Sequence, residues 1–216
     1  VVETLGGEPL VELVEVPANA TRESLIDLLD PVLTSLADGP LISLLGLIEE
    51  PLPEQSGLAL GLAQTHLLAQ ALDDLDAECA TWLITSGAIS TQPSDRLDSP
   101  IQAMIWGLGR VVGLEFPGRW GGLVDLDEEF VNAGRGTEVL RQLLGKPSDE
   151  DQVALRGGRM QVRRIRKCLP TRATTSPWVP GGTILITGAT GQLGTSLARH
   201  LARRGAPHLS LIHISE

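Results

Sequence analysis

Three glycines at regular spacing form the part of the sequence that is best suited to chemistry. Gly188, Gly191 and Gly194 follow the short apolar run Ile184–Ile186 and precede a leucine-rich segment. Glycines allow backbone N–H groups to come close to a ligand, and a helix that begins directly after them turns the positive end of its dipole toward an anion. The pattern therefore predicts a strand, a glycine turn and a helix, as at the start of a dinucleotide-binding unit.

A helix is predicted directly after the glycines. Leu193, Leu197 and Leu201 recur every four residues and are expected to form one apolar stripe, and Gly205 stands where a helix commonly ends. Because this unit opens only at Thr183 of 216 residues, we expect most of such a domain to be missing from the chain.

The composition limits the class of protein. The formal net charge is −10, which argues against binding to nucleic acid or to an anionic membrane surface, because an acidic surface repels phosphates. No apolar run approaches the roughly 20 residues that span a bilayer. We therefore expect a cytoplasmic protein that binds neither nucleic acid nor membrane.

The side chains that commonly bind metals are scattered along the chain. Cys79 and Cys168 lie far apart without a C-x-x-C partner, and His66, His200 and His213 have no partner at metal or catalytic spacing. We interpret the cysteines as two reduced thiols rather than as a disulfide or a metal site, and we predict no metal site.

The residues before the glycine turn alternate between strand and helix patterns. Pro31 is expected to kink or split the first helix, and the nearly continuous apolar run Leu41–Leu47 is typical of a parallel strand buried on both faces. Gly157-Gly158 is a hairpin signal. The alternation predicts an α/β fold, with a parallel sheet covered by helices and a terminal hairpin. Strands are predicted at 10–16, 41–47, 80–85, 122–126, 152–155 and 160–165, and helices at 22–37, 58–75, 100–116 and 138–144.

The first α/β unit lacks a phosphate-binding turn. Its predicted strand Leu41–Leu47 runs into Glu49, Glu50, Pro51 and Pro53, in a segment predicted to be a loop. Two carboxylates and two prolines cannot offer a nest of N–H donors to an anion. We interpret this unit as a structural, Rossmann-like layer without a nucleotide.

The most recognisable segment is IQAMIWGLGRVVGLEFPGRWGGLVDL at residues 101–126, which strongly resembles the structural subdomain of ketoreductases from modular type I polyketide synthases. The resemblance rests on Ala103–Gly113, on the Glu-x-Pro turn Glu115–Pro117 and on the Trp-Gly-Gly-Leu-Val-Asp strand Trp120–Asp125. Further similar pieces are 81–85 with Gly87-Ala88, and 181–188, so the resemblance covers most of residues 40–208.

The resemblance implies a domain organisation. A ketoreductase of this family consists of two Rossmann-like halves. The first half is truncated, binds no cofactor and braces the second, which resembles short-chain dehydrogenases and binds NADPH. The chain would then hold a linker with the first strand and helix at 1–39, a structural subdomain at 40–167, a linker at 168–182 and the start of the catalytic subdomain at 183–216.

The resemblance also implies an activity. In this family NADPH reduces the β-ketone of an acyl thioester, and the acyl chain is carried on the phosphopantetheine of an acyl carrier protein. The expected partners are that carrier domain and the neighbouring polyketide synthase domains. The family's cofactor turn, T-G-x-x-G-x-L-G, is matched here, and the residues expected to bind the cofactor are Thr187, Gly188, Ala189, Thr190, Gly191, Gln192, Leu193 and Gly194.

Two departures from the family affect these expectations. The catalytic Tyr, Lys and Ser of the family lie well downstream of the glycine turn, and this chain contains no Tyr. We therefore assign no catalytic residue and expect the fragment to be inactive. The octapeptide Leu209–Glu216 reads like the translation of a transposase-type sequencing adapter, so we interpret it as an assembly artefact, with a genuine second strand as the alternative.

Two other classes of protein remain open. The motif TGATGQLG fits an extended short-chain NAD(P)-binding oxidoreductase or epimerase, although such enzymes usually open with this motif, whereas here 182 residues precede Thr183. The other class is a non-catalytic scaffold module that acts only through contacts. A long segment after His208 that bears Ser, then Tyr and Lys, would favour the reductase.

Overall fold

A computed structural model of the chain describes residues 13–35, 39–53, 55–127, 143, 150–167 and 178–212, together with the backbone of 4–5 and 8–9. The chain forms two compact units, Val1–Arg164 and Ile165–Glu216, and each is described by itself. The largest sheet of the first unit has five strands, and the sheet of the second has two.

Strands and helices alternate along most of the described chain. The helices are α1 (Arg22–Ser35), α2 (Leu60–Asp74), α3 (Ala103–Glu115) and α4 (Gln192–Arg203). The strands are β1 (Thr4–Leu5), β2 (Glu8–Pro9), β3 (Leu41–Ser43), β4 (Pro51–Leu52), β5 (Gln55–Ala59), β6 (Thr81–Ser86), β7 (Trp120–Leu126), β8 (Gln152–Arg156), β9 (Arg159–Val162), β10 (Thr183–Thr187) and β11 (His208–Ile212).

The five-stranded sheet of the first unit has the order β3-β6-β7-β8-β9. Its first four strands are parallel, and β9 runs antiparallel to β8. Gly157 and Gly158 connect β8 to β9 with φ angles of 53° and 72°, the positive values that a two-residue type I′ turn needs. The predicted α/β fold, with a parallel sheet and a terminal hairpin, is therefore confirmed.

Three clusters of buried side chains hold the first unit together. One lies on a face of the central strands around Ile84, and a second brings Trp106 of α3 against Leu123 of β7. The third is formed by the facing sides of α1 and α2. Leu143 is helical and belongs to the first cluster, whereas the rest of the helix predicted at 138–144 lies outside the described residues.

The run Leu41–Leu47 is not the fully buried strand that the sequence predicts. Only Leu41–Ser43 is a strand, and it lies at the edge of the sheet, where Ile42 is 44% exposed. The chain then leaves the sheet in a 3₁₀ turn, Leu45–Leu47. Gly46 permits this turn, because a Cβ atom there would lie 2.7 Å from the carbonyl oxygen of Ile84.

The loop predicted at 49–55 instead contains β4 and the start of β5, which pair as an antiparallel hairpin. Pro51 lies in a two-residue strand outside the main sheet, where a missing N–H donor costs little. The hairpin leads directly into α2, which begins at Leu60 rather than at the predicted residue 58.

Helix α1 begins where the sequence predicts and continues through its proline. Thr21 Oγ1 accepts a hydrogen bond from the N–H of Ser24 at 3.2 Å, and Ser24 Oγ accepts one from the N–H of Thr21 at 2.9 Å. The predicted split at Pro31 is wrong, since the helix runs unbroken to Ser35. Asp27 and Pro31 are both exposed, so water can bind the carbonyl of Asp27 that Pro31 leaves without a donor.

The two predicted end segments have different outcomes. Residues 13–16, the described part of the strand predicted at 10–16, are irregular, and Val16 packs against the α1–α2 cluster instead. At the other end, β11 runs parallel to β10 over five residue pairs, which is the arrangement expected if Leu209–Glu216 supplies a genuine second strand. Residues 213–216 lie outside the described part of the chain.

A buried carboxylate ties together the carboxyl ends of β6, β7 and β8. Asp125 is fully buried, and its Oδ1 accepts hydrogen bonds from Thr85 Oγ1 at 2.5 Å and from the N–H of Ala88 at 3.0 Å. Arg156 Nη2 donates to Asp125 Oδ2 at 2.5 Å, and Nη1 donates to the main-chain oxygen of Asp125 at 3.0 Å. The indole N–H of Trp106 donates to Thr85 Oγ1 at 2.9 Å, which joins α3 to the network. The charge of Asp125 is therefore compensated within the fold.

Replacing Arg156 by methionine removes the partner of this buried charge. We expect Arg156→Met to lower the free energy of unfolding of the first unit by about 3 kcal/mol, because Asp125 keeps a carboxylate in a site shielded from solvent. Urea unfolding followed by tryptophan fluorescence measures the change. The matched control is Arg159→Met, an exposed arginine on the same hairpin, which should change the value by less than about 0.5 kcal/mol. Equal losses for the two variants would contradict the role of the ion pair.

Candidate cofactor-binding turn

The turn after β10 needs glycine at its first position. Gly188 has a φ angle of 65°, in the left-handed region that residues with a side chain rarely adopt. The N–H of Gly191 donates to the carbonyl of Gly188 at 3.0 Å, and the N–H of Ala189 donates to the carbonyl of Ile212 in β11 at 3.3 Å. The turn is therefore held by its own main chain and by the neighbouring strand.

Gly194 allows the first turn of α4 to pack against this main chain. A Cβ atom on Gly194 would collide with the carbonyl oxygen of Gly188 and would lie 2.7 Å from Ala189 Cα. The hydroxyl of Thr195, which sequence reasoning did not single out, donates to the carbonyl of Ala189 at 3.0 Å and holds the helix to the turn. Gly191 differs from Gly194, because a Cβ atom there would approach only the carbonyl oxygen of Gly188, at 3.3 Å.

The N-terminus of α4 is open. Gly191 is its N-cap residue, with an extended backbone, and no side chain caps the helix. The N–H of Thr195 donates to the carbonyl of Gly191 at 2.9 Å. The N–H groups of Gln192, Leu193 and Gly194 are therefore those that a helix leaves without internal partners. Together with the helix dipole, they make this end of α4 suitable for an anion such as a pyrophosphate.

The eight residues of the predicted cofactor turn run from Thr187, the last residue of β10, through the turn 188–191 to the first three residues of α4. Ala189 is buried against Ile186 and Leu201, and its N–H and carbonyl are bonded to Ile212 and Thr195, so it shapes the turn from inside. Gly194 is partly buried, and the remaining six residues lie at the surface. These are Thr187, Gly188, Thr190, Gly191, Gln192 and Leu193.

The apolar stripe predicted on α4 is only partly buried. Leu201 packs against β10 together with Ala198, whereas Leu197 is 48% exposed and Leu193 is 87% exposed. The helix meets the sheet through positions three residues apart, and a four-residue repeat drifts around the helix by about 40° per step. The helix ends as predicted, because Gly205 has a φ angle of 82° and the N–H of Ala206 donates to the carbonyl of Leu201 at 3.1 Å, as in a Schellman motif.

The corresponding strand–helix junction in the first unit is covered by the chain's own carbonyls. A Cβ atom on Gly61, in the first turn of α2, would collide with the carbonyl oxygen of Leu45 and would lie 2.6 Å from that of Ile48. The N–H of Leu60 donates to the carbonyl of Glu50 at 2.7 Å. The carbonyl of Glu50 therefore occupies the first N–H of α2, and the carbonyls of Leu45 and Ile48 pack against Gly61 in the same turn. From the sequence, carboxylates and prolines were expected to prevent anion binding at this junction. Gly61 is the residue that could have indicated the close approach of the carbonyls.

Of the remaining residues that the sequence singled out, Cys168 and His213 lie outside the described part of the chain. Within the described ranges, no three His, Cys, Asp or Glu side chains come together as metal ligands would. Cys79 is a free thiol, and partial burial raises its pKa above the ordinary value, so the thiol is a poor nucleophile. None of the helices in the described part of the chain has both the length and the apolar composition needed to cross a bilayer.

Comparisons with known proteins agree with these features. Residues 10–165 match the family described as "Polyketide synthase extender module SpnB, Rossmann fold domain", and residues 182–215 match the "KR domain". Polyketide synthase GfsA from Streptomyces halstedii is 43% identical over 202 residues, which are 92% of this chain and 3% of GfsA. Pikromycin polyketide synthase component PikAIII from Streptomyces venezuelae is 37% identical over 203 residues, which are 94% of this chain and 12% of PikAIII.

Two solved structures are similar over most of the chain. An A1-type ketoreductase is 38% identical with a TM-score of 0.69, and the match covers 88% of this chain and 40% of that one. A C2-type ketoreductase from a modular polyketide synthase is 39% identical with a TM-score of 0.68, over 91% of this chain and 43% of that one. Fold and similarity together define an α/β domain of the Rossmann type. More narrowly, the chain belongs to the ketoreductase domains of modular polyketide synthases, and it spans about two fifths of the solved ketoreductases.

Two alanine substitutions test which glycine of the turn packs closely against the backbone. We expect Gly194→Ala to speed amide hydrogen exchange in β10 and α4 by about tenfold or more, because overpacking against backbone typically costs about 1–3 kcal/mol. Gly191→Ala is the matched control and should leave exchange nearly unchanged, since its methyl group meets only one atom, at 3.3 Å. Exchange measured by mass spectrometry over residues 183–203 makes the comparison, and equal rates in the two variants would refute the packing role of Gly194.

Proposed function

We propose that the chain forms part of a ketoreductase that uses NADPH to reduce a β-ketoacyl thioester to the β-hydroxy thioester. The observation that carries this proposal is the open glycine turn at the N-terminus of α4, in a chain that belongs to the ketoreductase family. The residues present fit a diphosphate, because they offer backbone donors at a helix start that no side-chain hydrogen bond caps. Two other classes were left open by the sequence. A free-standing oxidoreductase or epimerase rests on the motif TGATGQLG alone, and a non-catalytic scaffold module has no observation in its favour.

The turn would hold the cofactor by its diphosphate. The N–H groups of Gln192, Leu193 and Gly194 would donate to the phosphate oxygens, and Gly191 would let the backbone come close to them. Thr187 and Thr190 are exposed next to the turn. NADPH, when bound, supplies the hydride that adds to the ketone carbon. The part of this chain in the reaction is therefore to bind and orient the cofactor.

The reaction also needs a proton for the oxygen of the reduced ketone. In the family that this chain resembles, a Tyr gives this proton, and the 216 residues contain no Tyr. We therefore infer that the donor comes from residues outside this chain and that the chain alone is inactive. The acyl substrate would arrive on the phosphopantetheine of an acyl carrier protein domain, which accords with the similarity to modular synthase components.

We further propose that the first unit supports the catalytic half and binds no nucleotide. Two observations favour this role. The first N–H of α2, that of Leu60, donates to the carbonyl of Glu50, and the carbonyls of Leu45 and Ile48 pack against Gly61 in the same turn. Asp125 and Arg156 occupy the carboxyl ends of the central strands with a satisfied ion pair, which leaves no free charge there for a ligand.

A fusion protein tests the proposed function. Residues 1–208 of this chain are joined to the part of the A1-type ketoreductase that follows its match to this chain, and this protein is called the ketoreductase fusion. We expect the ketoreductase fusion to oxidise NADPH in the presence of a β-ketoacyl thioester mimic, and the 216-residue chain to show no turnover above background. Stereospecific turnover by the 216-residue chain alone would contradict the inference that this chain lacks the proton donor.

Gly191→Ala in the ketoreductase fusion tests the role of the turn. We expect it to raise the KM for NADPH by about tenfold, because a methyl group at the N-cap obstructs the approach of a phosphate while the fold is kept. The KM for the thioester should not change. If the fusion folds and reduces the thioester, but Gly191→Ala leaves the KM for NADPH unaltered, the turn is not the cofactor site.

A further inference from the structure

Thr195 in the first turns of α4 is hydrogen-bonded to the cofactor turn at two points. Its N–H donates to the carbonyl of Gly191 at 2.9 Å, which is the first internal hydrogen bond of the helix. Its hydroxyl donates to the carbonyl of Ala189 at 3.0 Å, and the side chain is half-buried. One residue therefore connects α4 both to the end of the turn and to its interior.

The carbonyl that accepts the Thr195 hydroxyl lies outside the helix. A threonine hydroxyl in a helix commonly bonds to the carbonyl four residues earlier, which here is that of Gly191. The hydroxyl of Thr195 instead reaches Ala189, six residues earlier in the turn. Threonine is also a poorer helix former than alanine, so the stability of α4 does not account for this residue. The hydroxyl therefore serves the turn rather than the helix.

Ala189 is held by a different element on each side. Its N–H donates to the carbonyl of Ile212 in β11 at 3.3 Å, its carbonyl accepts from Thr195, and its methyl group is buried. The hydroxyl of Thr195 thus joins this peptide to the start of α4. Removal of the hydroxyl would leave a half-buried carbonyl without this donor and would loosen the turn from the helix.

The glycines of the turn make it costly to order. Gly188 and Gly191 stand at its two ends, and glycine loses more conformational freedom on ordering than any other residue. A ligand that meets a turn already held in one conformation does not bear this cost. The expected phosphate donors, the N–H groups of residues 192–194, follow Gly191 directly. The bond from Thr195 therefore also restricts the backbone that leads into these donors.

We propose that Thr195 is a positioning residue of the cofactor site, whose hydroxyl holds the turn in the conformation that binds a diphosphate. This inference rests on the proposed function. Thr195 acts through the turn and does not touch the cofactor, so its hydroxyl affects the affinity for the cofactor and neither the hydride step nor the acyl substrate. NADPH and NADH carry the same diphosphate, and the hydroxyl therefore favours both by the same factor.

Hydrogen exchange of the 216-residue chain tests the ordering of the turn without any cofactor. Thr195→Val keeps the shape of the side chain and removes its hydroxyl. We expect the amides of Ala189 and Gly191 to exchange about fivefold faster in this variant, the change that corresponds to one neutral hydrogen bond. Thr195→Ser keeps a hydroxyl and should restore slow exchange. Ser196→Ala is the matched control, since it removes a hydroxyl from the neighbouring, exposed position.

Equal exchange of the turn in Thr195→Val and in the original chain would overturn the proposal. If Thr195→Val unfolds the second unit, Thr195→Ala takes its place, because alanine also lacks the hydroxyl and is the better helix former.

Steady-state kinetics of the ketoreductase fusion test the effect on the cofactor. Thr195→Val should raise the KM for NADPH and the KM for NADH by the same factor, about fivefold, and leave kcat and the KM for the thioester unchanged. Thr195→Ser should return both cofactor KM values to those of the original fusion. Faster exchange of the turn with an unaltered KM would show that the bond only stabilises the fold, and this result would overturn the proposal. A rise for NADPH alone would also contradict it, because NADPH differs from NADH only in the 2′-phosphate.

Two comparisons separate this inference from the proposed function. If Gly191→Ala raises the KM for NADPH and Thr195→Val does not, the turn is the cofactor site and Thr195 is not its positioning residue. If neither variant changes this KM, the cofactor role of the turn fails together with the inference. A fusion that binds NADPH, as the fluorescence of the reduced nicotinamide reports, but does not oxidise it contradicts the proposed activity. The Kd for NADPH then replaces the KM in the same comparison of Thr195→Val with Thr195→Ser.

Discussion

An α-helix leaves its first N–H groups without partners, and the two units of this chain satisfy that constraint in opposite ways. In the first unit, the carbonyls of Leu45 and Ile48 lie over the start of α2, and Leu60 donates to Glu50. In the second unit, α4 begins at a glycine N-cap with no side chain across it. The start of one helix is closed by its own chain, whereas the start of the other is open, so the same strand–helix arrangement leaves N–H groups available in only one of the two places.

In the first unit, side chains of the chain itself also occupy the carboxyl ends of the strands. Ligands of open α/β sheets commonly bind outside these ends. In the first unit the position is held by Asp125 and Arg156, with Thr85 and Trp106 completing the hydrogen bonds. The ion pair connects three strands and a helix that are distant in sequence. The hydrogen bond from Trp106 to Thr85 also holds α3 against the sheet.

The sequence predicted those features that depend on local geometry. Gly188 was recognisable because a left-handed φ favours glycine, and Gly194 because a helix packs closely on the turn at that spacing. Features that depend on contacts between residues far apart in the sequence could not be predicted from it. The run Leu41–Leu47 has the composition of a central strand but lies at an edge, since the order of strands is decided by long-range pairing. Likewise, the spacing of Leu193 and Leu197 could not reveal which side of α4 meets the sheet.

The hairpin at Gly157-Gly158 limits the number of strands in the first sheet. A parallel strand is added through a crossover long enough to return the chain to the starting end of the sheet. Two residues in a type I′ turn are too short for this, so β9 lies antiparallel at the border of the sheet. The repeating addition of strand and helix stops there, and the next strand, β10, belongs to another sheet. Gly157 and Gly158 thus end the alternation of strand and helix, and they thereby set the size of the first unit.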